Sequence, residues 1–167
     1  RVGKTVNFLL YTDLTLKEMA EILGYVDDSH ISKVFAARVG MRIGEYRNIY
    51  RKVQNICRIE ESRTGYTIVN EIYRNYEKPL TSELIARRFG ISVTELNRLL
   101  LIQVERNFED FLNLVRVNRA CELLVETDRT VLEIAMDVGY RNPKTLTRNF
   151  LKLKLMTPTA FRAKLRA

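Results

Sequence analysis

The apolar residues of this chain recur mostly at the three- and four-residue spacing that places them on one side of an α-helix. Between Phe111 and Val125, for example, apolar side chains repeat at this spacing over four turns. No alternating stretch of apolar and polar residues reaches the length of a useful strand. The hydrophobic pattern therefore predicts an all-α fold.

Capping sequences mark where several of these helices begin. Residues 15–18 and 130–133 both read Thr-x-x-Glu, in which the threonine accepts a backbone N–H and the glutamate bonds back to the cap. The helices that follow end at Gly24 and Gly139, because glycine readily adopts the left-handed conformation that ends a helix. A second helix with its own Asp or Asn cap starts shortly after each glycine. This order predicts a tight helix-turn-helix at both places.

The chain contains an internal repeat. Residues 1–50 align without a gap on residues 116–165, and thirteen of the fifty positions are identical. A further copy of the turn lies between them, with Ala86 and Gly90 at the same spacing and a capping sequence after them. We therefore predict three helix-turn-helix bundles of homeodomain-like type, with a long helix from about Asn107 to Glu126 leading into the last one.

This repeat also divides the chain. Residues 1–54 are predicted to form half of a double helix-turn-helix domain, and residues 55–66 a linker. Residues 67–167 are predicted to form a complete double domain, with subdomains at about 67–106 and 107–167. Because the chain begins at Arg1 and not at methionine, we expect it to be a fragment or a processed product.

Charge points to the class of partner. The formal net charge is +8, and residues 141–167 contain eight basic residues and no acidic one. Residues 29–54 are also mainly basic. Both clusters begin at the second helix of a helix-turn-helix, the helix that enters the DNA major groove. A basic face can also be merely solvated, but in this motif it favours double-stranded DNA as the partner.

One face of the last predicted reading helix carries residues suited to base contacts. Lys144, Thr147 and Arg148 share this face, and arginine can bond both acceptors of guanine. The equivalent face of the middle motif carries Thr94, Asn97 and Arg98, of which asparagine suits adenine. Ordinary surface residues remain the alternative at each position. The predicted contacts of the last motif are Arg141, Lys144, Thr145, Thr147, Arg148 and Lys152.

The length of the long helix agrees with two reading helices on one face of DNA. About 20 residues at about 1.5 Å each span about 30 Å, close to the ~34 Å of one turn of B-DNA. Other uses of a long helix exist.

Several kinds of site are not expected from this composition. Two cysteines and one histidine cannot supply a four-ligand zinc site, and the sequence has no glycine-rich phosphate loop. The longest apolar runs are far shorter than a membrane span. We therefore expect no cofactor, no metal, no membrane contact and no enzymatic activity.

The span from about Thr67 to Arg166 resembles the DNA-binding domain of the AraC/XylS family of bacterial transcription regulators. The resemblance rests on ELIARRFGIS, on the E-I-A-x3-G-Y sequence at 133–140 and on the terminal MTPTAFR. It implies a cytoplasmic, nucleoid-associated regulator, more often an activator than a repressor, that contacts RNA polymerase. A protein-interaction module and a non-specific architectural DNA-binding protein remain the alternative functions.

The chain departs from the family pattern in two places. Residues 1–50 resemble only the second half of such a domain, with base-facing positions at Ser29, Ser32 and Lys33. This copy could read DNA, or it could be a diverged duplicate used for packing or for contacts with a second copy or a regulatory protein. In the middle motif, Leu101 and Ile102 stand where the family usually has basic residues. Packing against residues 1–54 or a protein interface would explain this pair.

Overall fold

The computed structural model describes residues 1–53 and 60–167, and every regular element in them is an α-helix. We call α1–α4 unit one, α5–α7 unit two and α9–α11 unit three, and α8 connects the last two. The all-α prediction is confirmed. The helices are α1 (Val2–Tyr11), α2 (Leu16–Leu23), α3 (Asp28–Val39), α4 (Ile43–Val53), α5 (Glu60–Arg74), α6 (Ser82–Arg88), α7 (Val93–Val104), α8 (Phe108–Glu126), α9 (Val131–Asp137), α10 (Pro143–Lys154) and α11 (Pro158–Arg166).

The internal repeat is present in the structure as matching helices and matching contacts. Two of the three predicted capping boxes form, at the starts of α2 and α9, whereas at the start of α7 Ser92 accepts the N–H of Glu95 but the Glu95 carboxylate bonds Arg98. In unit one the ring of Phe35 packs edge-on against Tyr46 at a centroid distance of 5.3 Å. In unit three Phe150 packs in the same way against Phe161, also at 5.3 Å. The two copies therefore keep the same interior arrangement.

Two equivalent arginines fix the last helix of each copy. Arg47 of α4 donates a hydrogen bond to the carbonyl of Leu9, at 3.4 Å, near the end of α1. Arg162 of α11 donates to the carbonyl of Leu124, at 2.9 Å, near the end of α8. Carbonyls in the last turn of a helix have no partner within that helix, so each arginine bonds a carbonyl that would otherwise lack a hydrogen-bond partner.

Buried apolar side chains form two clusters, and α8 contributes to both of them. The larger cluster joins unit one and unit two and continues along α8 as far as Val115. The smaller cluster belongs to unit three and starts on α8 at Val117. Unit one thus shares its core with unit two, while unit three has a core of its own.

The boundary between the first two units lies close to the predicted linker. Helix α5 begins at Glu60, so its first turns occupy the second half of residues 55–66. Residues 54–59, which include Cys57, lie outside the described residues. The division of the chain into two domains stays a prediction.

The residues that follow α5 are contacted by Arg116 of α8 and by Gly139 of unit three. Arg116 is buried and donates to the carbonyls of Tyr76, at 2.9 Å, and Lys78, at 3.0 Å. Gly139 has a φ of +98°, and a Cβ there would lie 2.9 Å from the carbonyl oxygens of Tyr76 and Glu77. The backbone of Gly139 therefore approaches unit two too closely for any side chain.

We expect Gly139→Ala to destabilise the protein more than Gly24→Ala. Both glycines have positive φ, so alanine costs about 1–2 kcal/mol at either position. A Cβ at Gly24 meets no atom within 4 Å, whereas at Gly139 it meets backbone oxygens, which adds about 1–3 kcal/mol. Urea unfolding of the two variants and the parent measures the difference. Equal losses would show that the close contact is not maintained in solution.

Candidate DNA-binding surface

Helix α10 is held with one side in the core and the other toward solvent. Asn142 caps its first turn by accepting the backbone N–H of Thr145, at 3.0 Å, and proline follows at the first helical position. Leu146 and Phe150 are fully buried in the smaller core. Lys144 and Arg148 are exposed, and Thr147 is half-buried between them on the same face. The structure thus brings together the three residues that the sequence predicted to face the bases.

The flanks of α10 are basic. Arg141 precedes the helix and is exposed, and Lys152 lies on the last turn, where it pairs with Asp110 at 3.5 Å. The Thr145 hydroxyl is 3.2 Å from the Asn142 side chain, so it is engaged at the cap. The first turn carries no acidic residue. Because a helix N-terminus itself bears a partial positive charge, this end of α10 is well suited to an anionic partner.

A hydrogen-bond network beneath α10 fixes its orientation on α8. The Tyr140 hydroxyl donates to the Asn113 side chain at 2.8 Å, and the amide of Asn149 donates to the same oxygen at 3.2 Å. Burial raises the pKa of Tyr140 to about 12, so its hydroxyl stays protonated as a donor at neutral pH. Neither asparagine was predicted from the sequence. Each is recognisable there as a polar residue on the inner side of an otherwise apolar helix face.

Helix α7 differs from α10, because two of its predicted reading residues have partners within the protein. The side-chain oxygen of Asn97 accepts the backbone N–H of Phe108 at 2.9 Å and so helps to start α8. Arg98 makes two hydrogen bonds to Glu95, at 2.6 and 2.7 Å. This bond holds the pKa of the Glu95 carboxyl below its usual range. Thr94 is exposed. An exposed ion pair is weak in water, so Arg98 can leave Glu95 for a nucleic-acid partner at low cost.

The expectation that Leu101 and Ile102 pack against residues 1–54 is wrong. Their relative exposures are 53% and 49%, and neither lies in either apolar cluster. They follow Arg98 on the outer side of α7, where the equivalent residues of α10 are Leu151 and Lys152. The pair forms an apolar patch beside the predicted reading face of unit two.

Helix α3 of unit one also has an exposed outer face, but unlike α10 it begins with two acidic residues. Ser29 and Lys33 are exposed, and the hydroxyl of Ser32 donates to the Asp28 carbonyl at 2.9 Å. Two carboxylates, Asp27 and Asp28, stand at the start of α3, where α10 has asparagine and proline. Residues at the start of a reading helix approach the bases and phosphates, so these carboxylates oppose DNA binding.

Other kinds of site are not found in the part of the chain that the structure describes. None of its groups of His, Cys, Asp and Glu could hold a metal ion. None of its helices combines the length and apolar character needed to cross a membrane. Burial raises the pKa of Cys121 to about 11, so this half-buried thiol is protonated and unreactive at neutral pH.

The segment from α6 to α11 is similar in sequence to a known domain family and to several transcription regulators. The helix-turn-helix domain family matches residues 85–164. The HTH-type transcriptional regulator CdhR of Pseudomonas aeruginosa is 28% identical over 96 residues, which cover 58% of this chain and 29% of CdhR. Regulatory protein SoxS of Salmonella typhimurium is 27% identical over 99 residues, covering 59% of this chain and 92% of SoxS. The present chain thus spans less than a third of the length of CdhR.

A solved structure shows the same arrangement of helices. The DNA-binding domain of AdpA, a global transcriptional factor, in complex with a target DNA superposes with a TM-score of 0.59 at 25% identity, over 62% of this chain and 93% of that domain. The matched segment is therefore a double helix-turn-helix domain. This likeness to known DNA-binding regulators agrees with the resemblance that the sequence showed. Unit one lies outside the matched residues.

We expect Glu95→Gln to strengthen DNA binding by removing the ion pair of Arg98 with Glu95 and a negative charge from α7. The gain should be about threefold at moderate salt and should shrink as salt rises. Glu83→Gln is the matched control, because Glu83 is also an exposed first-turn glutamate but lies on α6. Fluorescence anisotropy with a labelled duplex measures both. An equal gain from the two variants would mean that only net charge matters.

Proposed function

We propose that this chain is a sequence-specific double-stranded DNA-binding regulator of bacterial transcription, in which α7 and α10 enter successive major grooves. The observation that carries the proposal is the two-sided character of α10. Its inner side is locked by Leu146 and Phe150, and its outer side presents Lys144, Thr147 and Arg148 on a rigid helix. The helix-turn-helix match and the likeness to the AdpA domain that was solved with its target DNA support this function.

The proposed roles on α10 follow from the chemistry of each side chain. Arg148 is placed to bond the two acceptors of a guanine, and Lys144 and Thr147 to contact neighbouring base edges. Arg141 and Lys152 flank this face and are proposed to bind phosphates, which position the protein without reading sequence. Thr145 is engaged at the helix cap, so its contact is proposed to be with the sugar-phosphate backbone.

Helix α7 is proposed to read a second, weaker half-site. Thr94 and Arg98 contact the bases once Arg98 leaves Glu95. Asn97 has its oxygen bonded to Phe108, so only its amide hydrogens are offered to DNA. Helix α8, with 19 residues, is about 28 Å long, near the ~34 Å between successive major grooves.

The apolar patch of Leu101 and Ile102 favours a protein contact as a second function. A pair of exposed apolar residues on a basic DNA-binding module is poorly suited to phosphate and better suited to another protein. We propose that RNA polymerase, a regulatory protein or a second copy of this chain binds here. Such a regulator would act at the bacterial nucleoid, in the cytoplasm, and activation is the outcome that the family resemblance implies.

Selection from random-sequence DNA, followed by footprinting, tests the proposed function. A regulator of this kind selects a short ordered site with two half-sites about one helical turn apart. Uniform protection without a preferred sequence would contradict the proposal and would identify an architectural DNA-binding protein. Absence of binding to any duplex at low salt would leave only the protein-interaction function.

We expect Arg148→Ala to cost about 1–3 kcal/mol on the selected site and to relax the preference at one base pair. Arg141→Ala is the matched control, because a lost phosphate contact weakens binding to all sequences equally. Binding titrations against the selected site and its single-base variants measure both effects. Equal losses on selected and random DNA would show that Arg148 contacts only phosphate.

The salt dependence of binding distinguishes unit three from unit one. Each phosphate contact contributes about −0.9 to the slope of log affinity against log salt, so neutralising Arg141 and Lys152 together should flatten the slope by about two units. Neutralising Lys33 and Arg38 on α3 should leave it nearly unchanged, since Asp27 and Asp28 oppose DNA there. A comparable flattening from the α3 variant would instead place unit one on DNA.

A further inference from the structure

Unit one lies outside the family match, yet it contacts both parts of the DNA-binding domain. Its first helix packs on α5 of unit two, and its second helix reaches the far half of α8, which carries unit three. The outer face of α3 is exposed but begins with two carboxylates, so DNA contact does not explain why this unit is present. Its contacts with the rest of the protein indicate a different role.

The attachment of unit one to unit two is mainly apolar and is therefore firm. The ring of Phe8 packs edge-on against Tyr66 of α5 at a centroid distance of 5.0 Å, and Tyr11 stacks on the same ring at 5.4 Å. Phe8 and Tyr66 are both buried in the larger core. Units one and two therefore share one apolar core, in which this aromatic cluster joins α1 to α5.

Polar contacts then orient α2 along α5. Arg74 at the end of α5 donates to the Glu18 carboxylate at 3.1 Å and to the Asp13 carbonyl at 2.7 Å. The Tyr73 hydroxyl donates to Glu21 at 3.4 Å. Burial, and then the charge of Glu122, raise the pKa of Glu21 above its usual range. With α2 held in this way, its first turn, which carries Lys17, lies beside α8.

Lys17 makes the contact that reaches past unit two. Its ammonium group lies 2.6 Å from the Glu122 carboxylate, and Glu122 stands on the half of α8 that belongs to the core of unit three. Arg119 also bonds Glu122 from one turn earlier on α8. Burial alone would raise the pKa of Glu122, but the bonds from Lys17 and Arg119 lower it overall, so this group is a carboxylate at neutral pH.

We propose that unit one sets the spacing between the two DNA-reading helices by holding unit three through the Lys17–Glu122 contact. Lys17 is thus a positioning residue that determines which distance between half-sites the protein accepts. This inference rests on the proposed function, because spacing has meaning only if α7 and α10 both read DNA.

The Lys17–Glu122 contact can affect the position of unit three because the core of unit three is separate from the core of units one and two. Unit three has a core of its own and meets the rest of the protein along α8, at Arg116, and where Gly139 approaches the carbonyls of Tyr76 and Glu77. Long helices bend easily, so small bending of α8 would shift α10 along the DNA. Lys17 contacts α8 more than one turn beyond Arg116, so even the modest attraction of a partly exposed ion pair there bears on the direction of α8.

The test compares Lys17→Glu with Lys4→Glu in the full chain. Both changes reverse one lysine of unit one that pairs with a glutamate, but the partner of Lys4 is Glu105 at the end of α7, at 3.3 Å, within the body formed by units one and two. Affinity is measured on the selected site and on versions with one or two base pairs inserted between, or deleted from, its half-sites. Circular dichroism melting confirms that both variants are folded.

We expect the parent and Lys4→Glu to prefer one spacing and Lys17→Glu to lose about fivefold of that preference, the factor to which about 1 kcal/mol corresponds. An unchanged spacing preference in a folded Lys17→Glu protein would overturn the inference while leaving the proposed function intact. An equal loss in Lys4→Glu would also overturn it. If the parent selects only a single half-site, the spacing role is excluded, and if it selects no site, the proposed function itself fails.

Discussion

The position of unit three relative to unit two depends on one helix that is buried in two separate cores. Side chains of α8 up to Val115 pack with units one and two, and those from Val117 onward pack with unit three. Arg116, between them, is buried and bonds the carbonyls at the end of α5. A change in the direction of α8 therefore moves the whole of unit three, including α10, relative to units one and two.

Unit one and unit three show which interactions a duplicated motif keeps. Both copies retain the edge-on aromatic pair under the last helix, and the arginine that satisfies the carbonyls of the preceding helix. Their outer faces have diverged, since α3 starts with two aspartates and α10 with asparagine and proline. Interior contacts are required for folding in either copy, whereas the exposed residues can differ in charge without disturbing the core.

Local features were predictable from the sequence because the groups that interact in each of them are only a few residues apart in the chain. The capping boxes of α2 and α9, the left-handed glycines and the amphipathic faces formed where the spacing placed them. The state of the α7 face was not predictable, because Asn97 is used by a helix that starts eleven residues later. The contact between Lys17 and Glu122 joins residues that are far apart in sequence, and only the tertiary arrangement brings them together.

Helical geometry places a strict limit on how the connecting helix can vary in length. Adding one residue within α8 would advance unit three by about 1.5 Å and rotate it by about 100° about the helix axis, which turns α10 away from the groove. Adding seven residues, close to two full turns, would restore the facing direction but lengthen the reach by about 10 Å. If the insertion preceded Arg116, this residue would no longer meet the carbonyls of Tyr76 and Lys78, and Glu122 would lie beyond Lys17. Relatives that preserve these contacts should therefore tolerate insertions in the turns between helices, but not within this one.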